Sequence, residues 1–483
     1  MARYNYDRLS AQDNSFLLME TRNLPMHVGS LLVFESDPLQ TPDGGIDFAG
    51  IRDAIDAVLH RIPRYRQKLH WIPFDQHAVW VDDPRFSLDF HLRHTALPRP
   101  GGKEQLKALA ARIMAQPLDR NRPLWETWVV EGIDGGACFG FLCKVHHCMI
   151  DGVSGVDLSH ILLSPSAEVP PASPLPEFIP RPAPTRVQLM RDETLRRLSM
   201  PTRVIEGIQT LRKVPNLKEE VGIRVQALTH LAGMGTSTDA TPLNGKVGPH
   251  RGFDWFDVPL EYLKAIRRAS SCSINDVVLT TVTGAVREYL LHRGVDPQHL
   301  DFRVSAPVST RSDKERGKLG NRVSSWIVPL PIEEDDPRRQ LERITGQTRE
   351  LKETRQALGV ELMLGIAEWT PSSLLSLGAQ AISGPVNTIV TNVPGPQIPL
   401  YMRGARLKSI YPQAPLLDGM GLAIGLISYD GKVSWGIISD PDLVPDADVF
   451  VEMLQASLAR LGDVEAVTRG GVEESEARPP ALH

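Results

Sequence analysis

The chain has 483 residues, with 53 Lys and Arg against 58 Asp and Glu for a formal net charge of −5. Hydrophobic residues at 42% and charged residues at 23% are ordinary globular values, so a length equivalent to two large domains or three small ones can bury its cores. The mild acidity argues against a nucleic-acid binder. A mean hydropathy of −0.17, with no apolar run near the ~20 residues of a bilayer crossing, excludes a spanning helix but not a protein resting on a membrane.

In chain order, Met1 to Asn14 is polar, without the apolar core of a signal peptide. Gly29 to Phe34 reads as a strand, and Phe48 to Leu59 carries apolar residues at helical spacing. Thr127 to Val130 and Cys138 to Val145 are short apolar runs bounded by Gly and Asp, hence strands. A helical pattern resumes at Gly152 to Leu163. A proline-rich linker from Ser164 to Pro184 then leads into a helical stretch, Thr185 to His230, with nine basic residues against five acids. After a Gly/Ser/Thr-rich patch, the second α/β block starts with a strand at Arg251 to Val258 and a helix to Ser270. Ser273 is placed to cap a long helix through Leu291. Strands are expected at Phe302 to Val308, Val323 to Leu330 and Val386 to Val393, and helices at Asp336 to Thr354 and Glu361 to Ala381. Leu422 to Tyr429 and Lys432 to Ile438 form a hairpin closed by Asp430-Gly431, and a helix over Asp446 to Leu461 precedes a polar tail. The pattern divides into 1–163, a linker 164–248, a second half 249–462 and the tail 463–483.

Four cysteines (Cys138, Cys143, Cys148, Cys272) contain no CxxC pair, so free thiols in a reducing cytoplasm are expected. The most informative segment is Lys144-Val145-His146-His147-Cys148-Met149-Ile150-Asp151-Gly152. A strand delivers two adjacent histidines into a loop, and neighbouring side chains on a strand point to opposite faces. One imidazole can face a cavity as a general base while the other packs inward. Diverging ligands argue against a metal site, and Gly152-Val153-Ser154-Gly155 lacks the spacing of a serine-hydrolase elbow. On the residues alone, a structural histidine pair and a catalytic one both stay open.

His146, His147, Asp151 and Gly152 spell HHxxxDG, the motif of the CoA-dependent acyltransferases that include chloramphenicol acetyltransferase and peptide-synthetase condensation domains. The remaining motifs resemble one branch, the bacterial wax ester synthase/diacylglycerol acyltransferase family. They are Leu9-Ser10-Ala11-Gln12-Asp13 with Phe16-Leu17, Pro25-Met26-His27-Val28-Gly29, Pro123-Leu124-Trp125, Asn275-Asp276, Gly320-Asn321-Arg322 and Asn392-Val393-Pro394-Gly395-Pro396. The resemblance spans about Leu9 to Gly462 in family order. It implies an α/β fold of mixed sheets, with two chloramphenicol acetyltransferase-like domains facing each other across an active-site cleft.

It further implies that His147 takes the proton from an acceptor hydroxyl attacking a long-chain acyl-CoA, with no covalent acyl-enzyme and no bound cofactor. His146 would support, and Asp151 and Gly152 would shape the loop, Asp151 through an arginine for which Arg311 is the candidate. Pro123, Leu124 and Trp125 would shape an acyl channel, against a core role for Trp125. Asn275 and Asp276 would face the site from the second half or merely cap a helix. The expected products are triacylglycerol or wax ester, from diacylglycerol or a fatty alcohol. Such substrates suggest a cytoplasmic protein held peripherally on membrane or lipid inclusions, with the basic stretch 185–230 either lying on the lipid or packing on the protein. The open alternatives are a related acyltransferase for another hydroxyl or amine, and an inert lipid-binding or droplet-coating protein.

Overall fold

The computed structural model describes residues 6–75, 77–149, 161–169, 176–199, 238–309, 323–353 and 386–476. In the first half, β1 (Asp7–Arg8), α1 (Ala11–Met19) and β2 (His27–Glu35) are followed by α2 (Phe48–Leu59), β3 (Gln67–Trp71) and β4 (Ala78–Asp82). Then come β5 (Leu92–Ala96), α3 (Lys103–Met114), β6 (Trp125–Ile133), β7 (Cys138–His146) and, after the proline-rich stretch, α4 (Arg186–Leu198). The second half opens with β8 (Asn244–Gly245), β9 (Gly252–Pro259), α5 (Leu260–Ala269), α6 (Ile274–His292), β10 (Arg303–Ser309), β11 (Val323–Pro329) and α7 (Pro337–Glu353). It closes with β12 (Thr388–Val393), β13 (Tyr401–Met402), β14 (Ala405–Gln413), β15 (Gly419–Met420), β16 (Leu422–Tyr429), β17 (Lys432–Ser439) and α8 (Ala447–Glu476).

Two six-stranded mixed sheets organise the molecule. One has the order β13-β14-β2-β7-β6-β5, the other β11-β10-β12-β16-β17-β9. A small sheet, β1-β4-β3, stands apart. β7 is buried along nearly its whole length, as its apolar run Cys-Phe-Gly-Phe-Leu-Cys requires in the middle of a sheet covered on both faces. α2 buries Ile51, Ile55 and Leu59, one stripe at helical spacing. The Asp430-Gly431 turn has φ of 43° and 80°, the left-handed pair that a two-residue hairpin demands, and it joins β16 to β17 in register from Leu422↔Ser439 to Tyr429↔Lys432.

Sheet membership departs from sequence order at one place. β14 belongs to the second half by sequence, yet it pairs antiparallel with β2 of the first, from Leu407↔Phe34 to Gln413↔Gly29. The two blocks, 1–163 and 249–462, therefore share a strand. A joint apolar cluster follows, in which Leu31, Leu142 and Leu109 meet Phe253, Trp255, Tyr411 and Ile438. Charged contacts reinforce the junction: Lys107 on α3 bonds Asp254 on β9 at 2.9 Å, and Tyr411 donates to Asp257 at 2.9 Å. The closing helix runs beyond Leu461 to Glu476, so helix occupies much of the expected tail. The expected helices 152–163 and 361–381 lie almost wholly or wholly outside the described residues, as does the basic stretch from residue 200 onward.

Candidate active site

β7 ends at His146, and a tight turn over 147–149 follows. His146 pairs with His27 across β7 and β2, and its amide donates to Leu124 O at 2.9 Å. Its side chain is fully buried. Nδ1 accepts the Cys148 amide at 3.1 Å, so the neutral ring carries its hydrogen on Nε2, which stands 3.4 Å from Glu20 Oε1. His146 is thus committed to holding the turn.

His147 lies in the turn just past the strand and is half-buried. Its amide donates to Met26 O at 2.8 Å, and its ring stacks on Phe16, with centroids 4.0 Å apart and planes 13° from parallel. Phe16 comes from α1, whose start is fixed by Ser10 accepting the Asp13 amide. The aromatic platform sets the tilt of the imidazole, and the backbone bond sets its height.

Glu20, at the end of α1, ties these parts together. Oε1 accepts the Met26 amide at 3.2 Å and lies 3.5 Å from His27 Nε2. Oε2 accepts from Arg120 at 2.9 and 2.6 Å, and Arg120 also donates to Leu17 O. Burial would raise the Glu20 carboxyl, but the His146 imidazole facing it and the hydrogen bonds from Arg120 bring it down to about 2. Burial lowers His27 well below the usual imidazole range, helped by the Lys144 charge. Lys144 is itself buried. It pairs with Glu126 and donates to Ile113 O and Gln116 O, pinning the end of α3 to the strand that carries the histidines. Glu20 and Arg120 belong to no local motif and Lys144 stood in the histidine segment without a role, so the parts all three play follow only from the folded chain. His27 stood within Pro25-Met26-His27-Val28-Gly29, without a role of its own.

Leu124 and Trp125 are buried beside this strand. The Trp125 indole N–H donates to Tyr65 O at 2.8 Å and its ring stacks on His91. Both are core residues, and their contribution is to hold β6 against β7. Pro123 and Trp125 also border a surface cleft with Phe90, Arg93, Arg122 and Glu126.

In the second half, Asp276 completes a capping box with Ser273, and its other oxygen accepts from Thr348 at 2.7 Å. It is buried, which accounts for it as a helix cap. Asn275 accepts from Asn392 at 2.8 Å, so the Asn-Asp pair and the Asn-Val-Pro-Gly-Pro segment meet. Gly395 is required there, since a Cβ would lie 2.2 Å from Ser428 O. The two asparagines border a cavity with Leu279, Pro307, Trp326 and Thr348, lined entirely from the second half. The structure thus gathers His146, His147 and Leu124 at the end of β7, and Asn275 and Asp276 at the start of α6. Asp151, Gly152, Arg311 and Gly320-Asn321-Arg322 lie outside the described residues. Among the described residues there is no cluster of His, Cys, Asp and Glu arranged to hold a metal, and no helix long and apolar enough to cross a membrane.

Comparison with known proteins places this arrangement among acyltransferases. The wax ester synthase/diacylglycerol acyltransferase catalytic domain matches residues 9–278, and the WS/DGAT C-terminal domain matches 319–462. A Mycobacterium tuberculosis protein named as diacylglycerol O-acyltransferase Rv1760 is 32% identical over 481 residues, covering 94% of this chain and 90% of that one. Another from that organism, named as diacylglycerol O-acyltransferase tgs1, is 32% identical over 467 residues, covering 94% and 96%. Among solved structures, the wax ester synthase/diacylglycerol acyltransferase of Marinobacter aquaeolei superposes with a TM-score of 0.64 at 23% identity, over 95% of this chain and 100% of that one. The first condensation domain of the calcium-dependent antibiotic synthetase superposes at 0.60 and 16% identity, covering 96% and 97%. These two likenesses establish the two-domain fold.

Proposed function

The chain belongs to the wax ester synthase/diacylglycerol acyltransferase family and is an acyltransferase, and we propose that His147 is the general base of its reaction. The acyl donor is a long-chain acyl-CoA, and the acceptor is the hydroxyl of diacylglycerol or of a fatty alcohol. His147 takes the hydroxyl proton as the oxygen attacks the thioester carbonyl. The tetrahedral oxyanion collapses, the carbon–sulfur bond breaks, and the imidazolium returns the proton to the departing thiolate. Triacylglycerol or wax ester and free CoA result. An alcohol is a weak nucleophile until a base is aligned with its proton, so positioning is what the protein must supply.

The observation that carries this reading is the division of labour between the adjacent imidazoles. His146 is buried and bonded through Nδ1, while His147 is half-buried on Phe16 with its backbone anchored to Met26. Asp151 and Gly152 would shape the turn beyond Met149, with Arg311 as the partner of Asp151. The Asn275–Asn392 pair would face the same cleft from the second half. Because the acceptors reside in membranes or droplets, the protein works peripherally on such a surface.

Purified full-length protein, given palmitoyl-CoA with dioleoylglycerol or hexadecanol, tests the activity through free thiol and ester product. Thiol release that depends on an acceptor and matches the ester formed is expected. Release equal with and without acceptor, and no ester, contradicts it.

A further inference from the structure

The loop between α1 and β2 carries two of the contacts that hold the histidine turn, the Glu20 carboxylate and the Met26 carbonyl. Its shape is set by a tight turn, in which the Thr21 and Leu24 amides donate to each other's carbonyls at 3.2 Å. Thr21 and Arg22 are exposed, and a short surface turn opens readily unless something outside it holds it. Here the hold comes from the second half of the chain. Leu24 and Met26 are buried in the apolar cluster that includes Phe253 and Trp255 of β9. At the tip of the turn, the Asn23 carbonyl accepts from a terminal nitrogen of Arg251, 228 residues away.

Arg251 stands just before β9 and is partly buried. Its other terminal nitrogen donates to Gly248 O at 2.9 Å and to His250 O at 2.6 Å. One nitrogen of the guanidinium is therefore bonded to its own loop and the other to the first half. That loop is fixed in turn by Asp440, fully buried just past β17, whose carboxylate accepts the Gly248 amide at 2.5 Å and the Asp442 amide at 2.8 Å. Burial presses the Arg251 guanidinium below its ordinary range, and the Asp440 charge opposes that. His27, held low chiefly by burial and then by Lys144 and His146, also feels the Arg251 charge. A planar fork with donors at fixed angles suits such a bridge, and a lysine has no equivalent of it. A continuous path thus runs from Asp440 through Gly248, Arg251 and Asn23 to Met26, whose carbonyl takes the His147 amide.

We propose that Arg251 is a positioning residue for acyl transfer: it transmits the placement of the second half to the loop behind His147, so that the imidazole is aligned only when the two halves are in register. The inference rests on the reading of His147 as the general base. Displacing a reacting group by about 1 Å can cost on the order of a hundredfold in rate, so losing one of several anchors should cost about tenfold.

The test is a double-mutant cycle on the full-length protein, with CoA release from palmitoyl-CoA and dioleoylglycerol measured well below the Tm of each variant. Arg251→Ala should lower kcat about tenfold and leave KM for both substrates within about twofold, because the substrate contacts remain. In the His147→Ala background, where no base is left to align, Arg251→Ala should cost less than about a further twofold. Where Arg251→Ala melts below the assay temperature, Arg251→Lys carries the same test, since one ammonium keeps the charge but cannot serve both halves at once. Wild-type kcat in the Arg251 variant overturns the proposal. So does a rise in KM in place of the fall in kcat, or a full tenfold further loss in the double variant, which would mean that Arg251 does not act through His147. Near-normal turnover in His147→Ala alone would overturn it differently, by removing the general-base reading on which it rests.

Discussion

Replacing the Glu20 carboxylate by an amide keeps its shape but removes the charge that pairs with Arg120 and the carboxylate oxygen that faces His146 Nε2. Glu20→Gln should lower kcat on the order of ten- to hundredfold with little change in KM, because the turn carrying His147 loses its anchor while the substrate contacts remain. Steady-state kinetics checks this, and an unchanged kcat would remove Glu20 from the positioning role. The same network predicts acid sensitivity. His27 is held below the imidazole range, so the unfolded chain binds a proton that the folded chain resists, and stability falls as pH drops below about 6.5. Glu20, lowered from 4.5 to about 2, adds a further loss as pH falls through that window. Tm should decline between pH 7 and 5, with a shallower slope in His27→Asn; equal slopes would contradict the assignment.

At the scale of the element, α6 tests the meaning of the Asn-Asp pair. Ser273→Ala should cost about 1 kcal/mol as a lost cap. Asp276→Ala should cost more, about 1–3 kcal/mol in all, since it also removes the shorter of the two hydrogen bonds of the buried Thr348 hydroxyl and leaves it only Thr345 O at 3.3 Å. Thermal melts together with kinetics decide the matter. A normal Tm with abolished turnover in Asp276→Ala would return this residue to the chemistry. The elements also mark how far periodicity can be read. Phe48–Leu59, Leu422–Tyr429 and the Ser273 cap were legible because an amphipathic stripe, an uninterrupted apolar run and a capping pair are local signals. β14 was not, because Pro412 within it argues against a strand. It is accommodated at a strand end where Gly436 and Gly425 of the second sheet leave room for it. Strand alternation does not account for the two histidines, because β7 ends at His146 and His147 lies in the turn beyond it. Glu20, 126 residues before His146, was not legible either, since its partners meet only after folding.

For the whole molecule, the shared strand makes the halves interdependent. Residues 1–175 expressed alone would leave the β2 edge open where β14 should pair, and unpaired strand edges associate. The expected result is an aggregating fragment, rescued to a soluble complex by co-expression of 176–483. A monomeric, cooperatively melting 1–175 would show that the strand exchange is dispensable. The proposed active site draws on this arrangement, because the strands that carry His27 and His146 are framed on one side by a strand of the other half.

The most direct measurement of the central claim is the acceptor-dependent release of CoA by His147→Ala, beside wild type and His146→Ala, each with its melting temperature. The account predicts that His147→Ala keeps the wild-type Tm and loses at least about a hundredfold in turnover, while His146→Ala is destabilised. Near-normal turnover in a folded His147→Ala protein would contradict it.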